Sequence, residues 1–280
     1  MKIELCPNPL KDRDLIHTKR VASLLRERGA SLWCATPMSG LEGVIVGSCN
    51  DPDLLLVLGG DGSIIRVAKR AAFQDVPILG INLGRVGYLA EIDSGELDRL
   101  DSILQGDYDI EQRMMLEITV NRGEVTIMSG RHVLNDAVVS HGRVSRLLES
   151  EVLCNGNSLG YYRSDGFIVT TPTGSTAYSM SAGGPILDPS LRGIGLTPIC
   201  PHSLTARPII VTEESAIAIR YLSPSDGTAY LTVDGEEALE LLPGDTVMIR
   251  RSPLTTKLVR FVRDRQVSFY DKLRTKMSDI

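Results

Sequence analysis

Apolar and polar positions along this chain follow two different rhythms. Up to about residue 112, short apolar runs alternate with longer stretches of helical spacing. Strands are predicted at 3–6, 31–35 and 76–81, with a helix over 12–28 that Gly29 stops at its C-cap. The strongest signal is Leu54-Leu-Leu-Val-Leu58, five apolar residues closed by Gly59-Gly60-Asp61-Gly62-Ser63. It reads as a buried strand, a tight turn, and a helix over 64–73. A glycine-punctuated segment follows at 82–87, and a short amphipathic helix is expected over 97–104. Strand, helix, strand at these lengths argues for a parallel sheet covered by helices.

From residue 113 the rhythm shortens. Runs rich in Val, Ile, Leu and Tyr predict strands at 115–120, 125–128, 132–139, 147–154, 158–163, 207–211, 216–221, 229–233, 247–250 and 258–262. Asn155-Gly156 between two of them is a hairpin signal. Only 176–182 looks briefly helical within this region, and 269–277 reads as a basic amphipathic helix. The expected fold class is therefore α/β plus mainly β. A Rossmann-like α/β domain spans 1–112, with 263–280 packing back on it, and a β-sandwich-like domain spans 113–262.

Composition narrows the function classes. The 280 residues carry a formal net charge of −5, which leaves no electrostatic footprint for nucleic acid or an anionic membrane. No apolar stretch approaches the length of a membrane helix, and the N-terminus has charges and prolines where a signal peptide needs an apolar core. Five cysteines are scattered without a CxxC, which points to reduced thiols in the cytoplasm and away from a zinc site or disulfide framework. The four histidines (His17, His132, His141, His202) lack ligand spacing, so no protein metal site is expected.

The turn after the strongest strand carries the chemistry. Glycines between strand and helix let backbone N–H groups approach a phosphate at the positive helix N-terminus. An acid in such a turn costs Coulomb energy beside a polyphosphate unless a metal ion intervenes or the acid has a proton to take. Asp61 is thus the candidate catalytic base of a phosphoryl transfer, with Gly59, Gly60, Gly62, Ser63 and Arg66 as candidate phosphate- or cofactor-binding residues. A plain surface turn with an Asp near the N-cap is the alternative. The dinucleotide fingerprint lacks its third glycine at Arg66, and no P-loop motif occurs.

A second passage runs from Arg163 through Asp165 to the glycines after Ser181. Seven of the twelve residues from Thr170 to Ser181 carry a short hydroxyl, a density that suits ribose hydroxyls, carboxamides and phosphate oxygens. Thr173 or Ser175 could instead cap the short helix. Asn135-Asp136 is a candidate for a sugar diol or an ordinary turn, and Val233-Asp234-Gly235-Glu236 reads as a hairpin turn.

Together these segments resemble the NAD kinase family. The resemblance is carried in order by Gly59-Gly-Asp-Gly-Ser63, Asn82-Leu-Gly-Arg-Val-Gly-Tyr-Leu89, Leu134-Asn-Asp136 and Ser164-Asp-Gly166. Thr171-Pro-Thr-Gly-Ser-Thr-Ala-Tyr178, Ser181-Ala-Gly-Gly-Pro-Ile-Leu187, Leu196-Thr-Pro-Ile-Cys-Pro-His-Ser-Leu204, Arg207-Pro and Val233-Asp-Gly235 continue it. It implies phosphorylation of the adenosine-ribose 2′-hydroxyl of NAD by ATP, or by polyphosphate, with Mg²⁺. By that analogy Asp61 is the base and Asn135 and Asp136 hold NAD on the ribose and adenine side. Arg163 and Asp165 belong to the cofactor site, Asp165 against the nicotinamide end. Thr173, Ser175, Thr176, Ala177, Tyr178 and Ser181 belong to the adenosine pocket. A homodimer or homotetramer is implied as well. Ser63 stands where the family usually has Thr, and Asp136 where Glu is common. Two other readings compete. A lipid kinase shares the glycine turn but needs a membrane-facing surface, and a non-catalytic NAD(H) sensor has no use for Asp61.

Overall fold

The N-terminal apolar runs become parallel strands. In the computed structural model, which describes residues 1–35, 41–84, 87–142, 147–222, 228–236, 239–261 and 268–278, the chain divides into two compact units. One is Met1–Gln112 with Thr256–Ile280, the other Arg113–Thr255.

In the first unit, strands β1 (Lys2–Pro7), β2 (Ser31–Cys34), β3 (Val44–Val46), β4 (Leu54–Gly59) and β5 (Ile78–Asn82) are parallel, in the order β3-β2-β1-β4-β5. A short β6 (Ile92–Asp93) lies parallel to β5. Every residue of β4 and β5 is buried, as expected for strands covered on both faces. Leu54, Leu56 and Leu58 of β4 share a core with Val21 and Leu25 of helix α1 (Ile16–Glu27) and Leu100 and Ile103 of helix α3 (Leu100–Gln105). Fully burying one such side chain is worth about 1.5–3 kcal/mol.

Two helix starts differ from expectation. α1 begins at Ile16, because the Asp12 carboxylate accepts the N–H groups of His17 and Thr18 and the Thr18 hydroxyl, after a 3-10 turn at Arg13–Leu15. Helix α2 (Asp61–Gln74) begins inside the glycine turn, with extended Gly60 as its N-cap. Asp61 therefore lies in the first turn of the helix, not ahead of it.

The second unit contains most of β7 (Asp109–Arg122), β8 (Val125–Val133), β9 (Asp136–His141), β10 (Leu148–Cys154), β11 (Asn157–Ser164), β12 (Gly166–Thr170), β13 (Gly193–Ile199), β14 (Ile209–Thr212), β15 (Ile217–Tyr221), β16 (Ala229–Val233), β17 (Leu239–Leu241) and most of β18 (Thr246–Arg260). One antiparallel sheet has the order β14-β13-β12-β9-β16-β17. A second antiparallel layer has the order β11-β10-β15-β18, with the β7–β8 hairpin joined through β7 to β18. Val139, Phe167, Leu196 and Leu231 from the first layer share one core with Leu116, Val152, Ile219 and Val247 from the second, which makes a β-sandwich. The β10–β11 turn has both Asn155 and Gly156 at positive φ, as a two-residue hairpin requires.

The sequence pattern does not predict strands β12 and β13. All their residues are buried, so they show no alternation, and Gly193, Gly195 and Pro198 disguise β13 as a loop. The strand expected over 132–139 is two strands, broken at Leu134 and Asn135. The helix expected over 176–182 is a 3-10 turn, Thr173–Thr176, followed by the single turn α4 (Tyr178–Ser181).

The chain returns to the first unit at Thr256, earlier than position 263, because Leu258 of β18 pairs in parallel with Ile78. There Arg260 and Glu91, both buried, form a 2.9 Å ion pair, and Glu91 also accepts the Phe261 N–H. Helix α5 (Phe269–Ser278) is anchored by Lys272, whose ammonium donates to the Ala90 carbonyl at 2.7 Å. Position 262, the end of a predicted strand, and positions 85–86 of the glycine-punctuated segment lie outside the described residues.

Candidate active site

In a parallel sheet the strand ends that point at the start of the following helices form the natural ligand crevice. Here the carboxyl ends of β1, β4 and β5 bring Asn8, Gly59, Gly60 and Asn82 to one edge, where α2 begins. The Asn8 amide donates to the Ser63 hydroxyl at 2.8 Å in a buried contact, and the Leu83 N–H donates to the Gly59 carbonyl at 2.8 Å. No side-chain cap closes the N-terminus of α2, and open space lies over Gly62. The helix start thus offers backbone N–H groups and a positive dipole end to an anion. Lys11 places its ammonium where any side chain on Gly60 would collide with it. Arg66 follows Gly62 by one turn on the same helix face and is exposed.

Asp61 is held by its own unit. Its Oδ2 accepts the Tyr88 N–H at 2.8 Å and its Oδ1 the Leu89 N–H at 3.1 Å. The carboxylate sits so close to Gly87 that any Cβ there would overlap it, so only glycine fits. Each oxygen keeps a second lone pair, so the anchored carboxylate can still accept a proton. Burial first, and then the Asp61 charge, push the Tyr88 phenol above its ordinary range.

The second constellation lies within the β unit. Asn135, Asp136, Ala177 and Tyr178 line a cavity of about 230 Å³ together with Val138, Thr232, Asp234 and Gly235. Asp234, at positive φ in the turn after β16, accepts the N–H groups of Leu134, Asn135 and Asp136 at 2.7–3.2 Å. Those three bonds account for the break between β8 and β9. Burial, and then the neighbouring Asp234 charge, push the Asp136 carboxyl up to about 7. Burial also raises Asp234, against the pull of its three N–H donors.

The hydroxyl-rich segment builds this wall from within. Thr170, Thr171, Ser175 and Thr176 donate to backbone carbonyls, Ser179 pairs with Thr197, and Thr173 accepts from Arg113 at 3.2 Å. Gly174 packs directly on the Asn135 carbonyl, with no room for a side chain. Ser175 is fully buried and also accepts the Leu187 N–H. Internal hydrogen bonding therefore explains six of the seven hydroxyls, and the exposed Ser181 ends α4. Arg163 is exposed on β11 and pairs with Glu149, while Asp165 lies 3.5 Å from His141. Sequence reasoning does not single out Asp234, Lys11 or Arg113 for the site. Only Asp234 leaves a trace there, as an Asp-Gly turn.

An acid delivered by a parallel sheet to an open helix start suits phosphoryl transfer to a hydroxyl. Residues 8–108 match the model of the ATP-NAD kinase N-terminal domain, and residues 134–261 that of the ATP-NAD kinase C-terminal domain. The chain belongs to the NAD kinase family. It is 48% identical to an NAD kinase of Symbiobacterium thermophilum over 81% of this chain and 78% of the relative. An NAD kinase of Natranaerobius thermophilus is 38% identical over 99% of this chain and 97% of its own. Among solved structures, yeast NADH kinase complexed with NADH superposes with a TM-score of 0.83 at 25% identity, covering 98% of this chain and 85% of that one. An NAD kinase from Archaeoglobus fulgidus in complex with ATP gives 0.77 at 25% identity, over 98% and 99%.

Proposed function

We propose that the chain transfers the terminal phosphate of ATP to the 2′-hydroxyl of the adenosine ribose of NAD, forming NADP. The observation that carries this reading is Asp61 in the first turn of α2, anchored by two backbone N–H groups beside an open helix start. A bond forms between the ribose 2′-oxygen and the terminal phosphorus while the bond to the leaving ADP oxygen breaks, and the hydroxyl proton passes to Asp61. The turn from Gly59 to Ser63, with Arg66, binds and orients the phosphates. Asn135 and Asp136 hold the adenosine ribose, with Ala177 and Tyr178 beside them, and Thr173, Ser175 and Thr176 support that loop. Arg163, Asp165 and Ser181 are assigned to the rest of the cofactor on the family's pattern, Asp165 at the nicotinamide end.

Mg²⁺ fits the donor chemistry. Among the described residues no group of three or more His, Cys, Asp or Glu is placed to hold a metal ion, and Mg²⁺ needs none when the phosphates of ATP supply its oxygens. Bound there, it neutralises charge on the transferring phosphate. NADP should therefore form from NAD and ATP with a divalent metal, and EDTA should abolish it. An assay with ATP and with polyphosphate tests the reading. Absence of NADP with either donor, under conditions where NAD binding is measurable, would leave a non-catalytic sensor.

Family membership further supports a homodimer or homotetramer. Sedimentation at micromolar concentration should give a mass above 30.5 kDa, and a fully active monomer would overturn this. The five free cysteines suit a reducing compartment, and we place the protein in the cytoplasm.

A further inference from the structure

Asp61 has a charged neighbour that the glycine turn does not supply. Lys276, near the end of α5, brings its Nζ to 3.9 Å from Asp61 Oδ2. The same ammonium lies over the Tyr88 ring, 4.0 Å from its centroid. Phe269, Lys272 and Lys276 recur at i, i+3 and i+7, one face of a helix. That face meets two residues of a single short segment: Phe269 packs tilted on Tyr88 with centroids 5.8 Å apart, and Lys272 bonds the Ala90 carbonyl. The amides of Tyr88 and Leu89 in turn hold the two oxygens of Asp61. Helix, segment and acid form one connected set within the first unit.

An ordinary surface lysine pairs weakly, because water screens it and its long stem loses entropy when fixed. Lys276 differs in two respects. The aromatic face beneath the ammonium restricts where it can go. Its partner is also the group that must remain a charged proton acceptor while polyphosphate approaches, which costs Coulomb energy unless a cation stands nearby.

We propose that Lys276 is the positioning residue of the proton acceptor: it holds the Asp61 carboxylate in place and offsets the negative charge arriving at the turn, which makes α5 part of the catalytic apparatus. The inference rests on the NAD kinase reading and assigns that site a residue from the far end of the chain.

The test is a double-mutant cycle on the full chain, with NADP formation and melting temperature measured for wild type, Lys276→Met, Lys276→Arg, Asp61→Asn and the Asp61→Asn/Lys276→Met pair. Lys276→Met should lower kcat about tenfold or more, the scale on which a misplaced reacting group is felt. KM for NAD should be unchanged, and Lys276→Arg should recover most of the rate. In the Asp61→Asn background the same substitution should change kcat less than about twofold, since the group it acts through is already lost. Undiminished kcat in Lys276→Met overturns the inference. So does an equal loss in both backgrounds, which marks a structural role, or a rise confined to KM for ATP, which marks a donor-binding lysine. A wild type that forms no NADP overturns the function itself and this inference with it, whereas an active wild type isolates the inference.

Discussion

Asp61→Asn should lose about 10²–10⁴-fold in kcat, the range contributed by a general base, with little change in KM for NAD. The substitution is nearly isosteric, yet the fold also feels it. Both carboxylate oxygens accept backbone N–H groups, from Tyr88 and Leu89. The Asn amide can face only one of them with an oxygen and turns its NH₂ against the other. Leaving one donor unmatched costs about 1–3 kcal/mol, so the melting temperature should fall by several degrees while the chain stays folded. Steady-state NADP formation measured beside a thermal melt separates the two effects. A variant with lowered melting temperature and near wild-type kcat would reduce Asp61 to an anchor of the Tyr88-Leu89 segment.

Asp136→Asn should do the opposite to stability. In the folded chain the Asp136 carboxyl is raised to about 7, first by burial and then by Asp234. The folded state therefore holds this proton more tightly than the unfolded state does, and the contribution of Asp136 to stability declines as pH climbs from the ordinary carboxylate range through 7. Every tenfold difference in proton affinity between the two states corresponds to about 1.4 kcal/mol. Removing the charge should thus raise the melting temperature at pH 8 by roughly 5 °C, with the advantage disappearing near pH 4. The same change replaces a charged acceptor for the ribose hydroxyls by a neutral amide, so KM for NAD should rise about ten- to a hundredfold at pH 8. Melts of both proteins across pH 4–8 check the first part, and a difference that does not vary with pH would contradict it. On the proposed binding role, Asp136 would serve the ligand at the expense of stability.

What can be read in the sequence is local. The apolar run of β4 and the glycines after it announce both the strand and the tight turn into α2, because burial on both faces and backbone freedom leave direct marks on residue type. β12 and β13 are equally buried, but with Gly193, Gly195 and Pro198 in β13 no period remains to detect. The hydroxyl-rich segment stands out for its density, and most of that density serves loop geometry: Thr171 and Ser175 bond Leu134 and Pro172 carbonyls before any ligand is considered. Hydroxyl content alone cannot distinguish the wall of a pocket from its lining. Asp234 reads as a hairpin residue, which it is. Its three amide partners lie about a hundred positions away, and no window of sequence shows them. Lys276 is hidden for the same reason.

The Arg260–Glu91 pair bears on the order in which this protein becomes itself on the ribosome. Glu91 emerges early, and its buried carboxylate has its cationic partner at the very end of β18, synthesised after the rest of the β-sandwich. An unpartnered buried charge costs several kcal/mol. A nascent chain of the first 112 residues therefore carries a sheet without the strand segment that pairs with β5 at Ile78, and an acid that favours water. The N-terminal unit is therefore expected to close only once Arg260 has been translated. The sandwich core, drawn from Leu116 to Ile249, is continuous in sequence and needs no later segment, so it is expected to fold first.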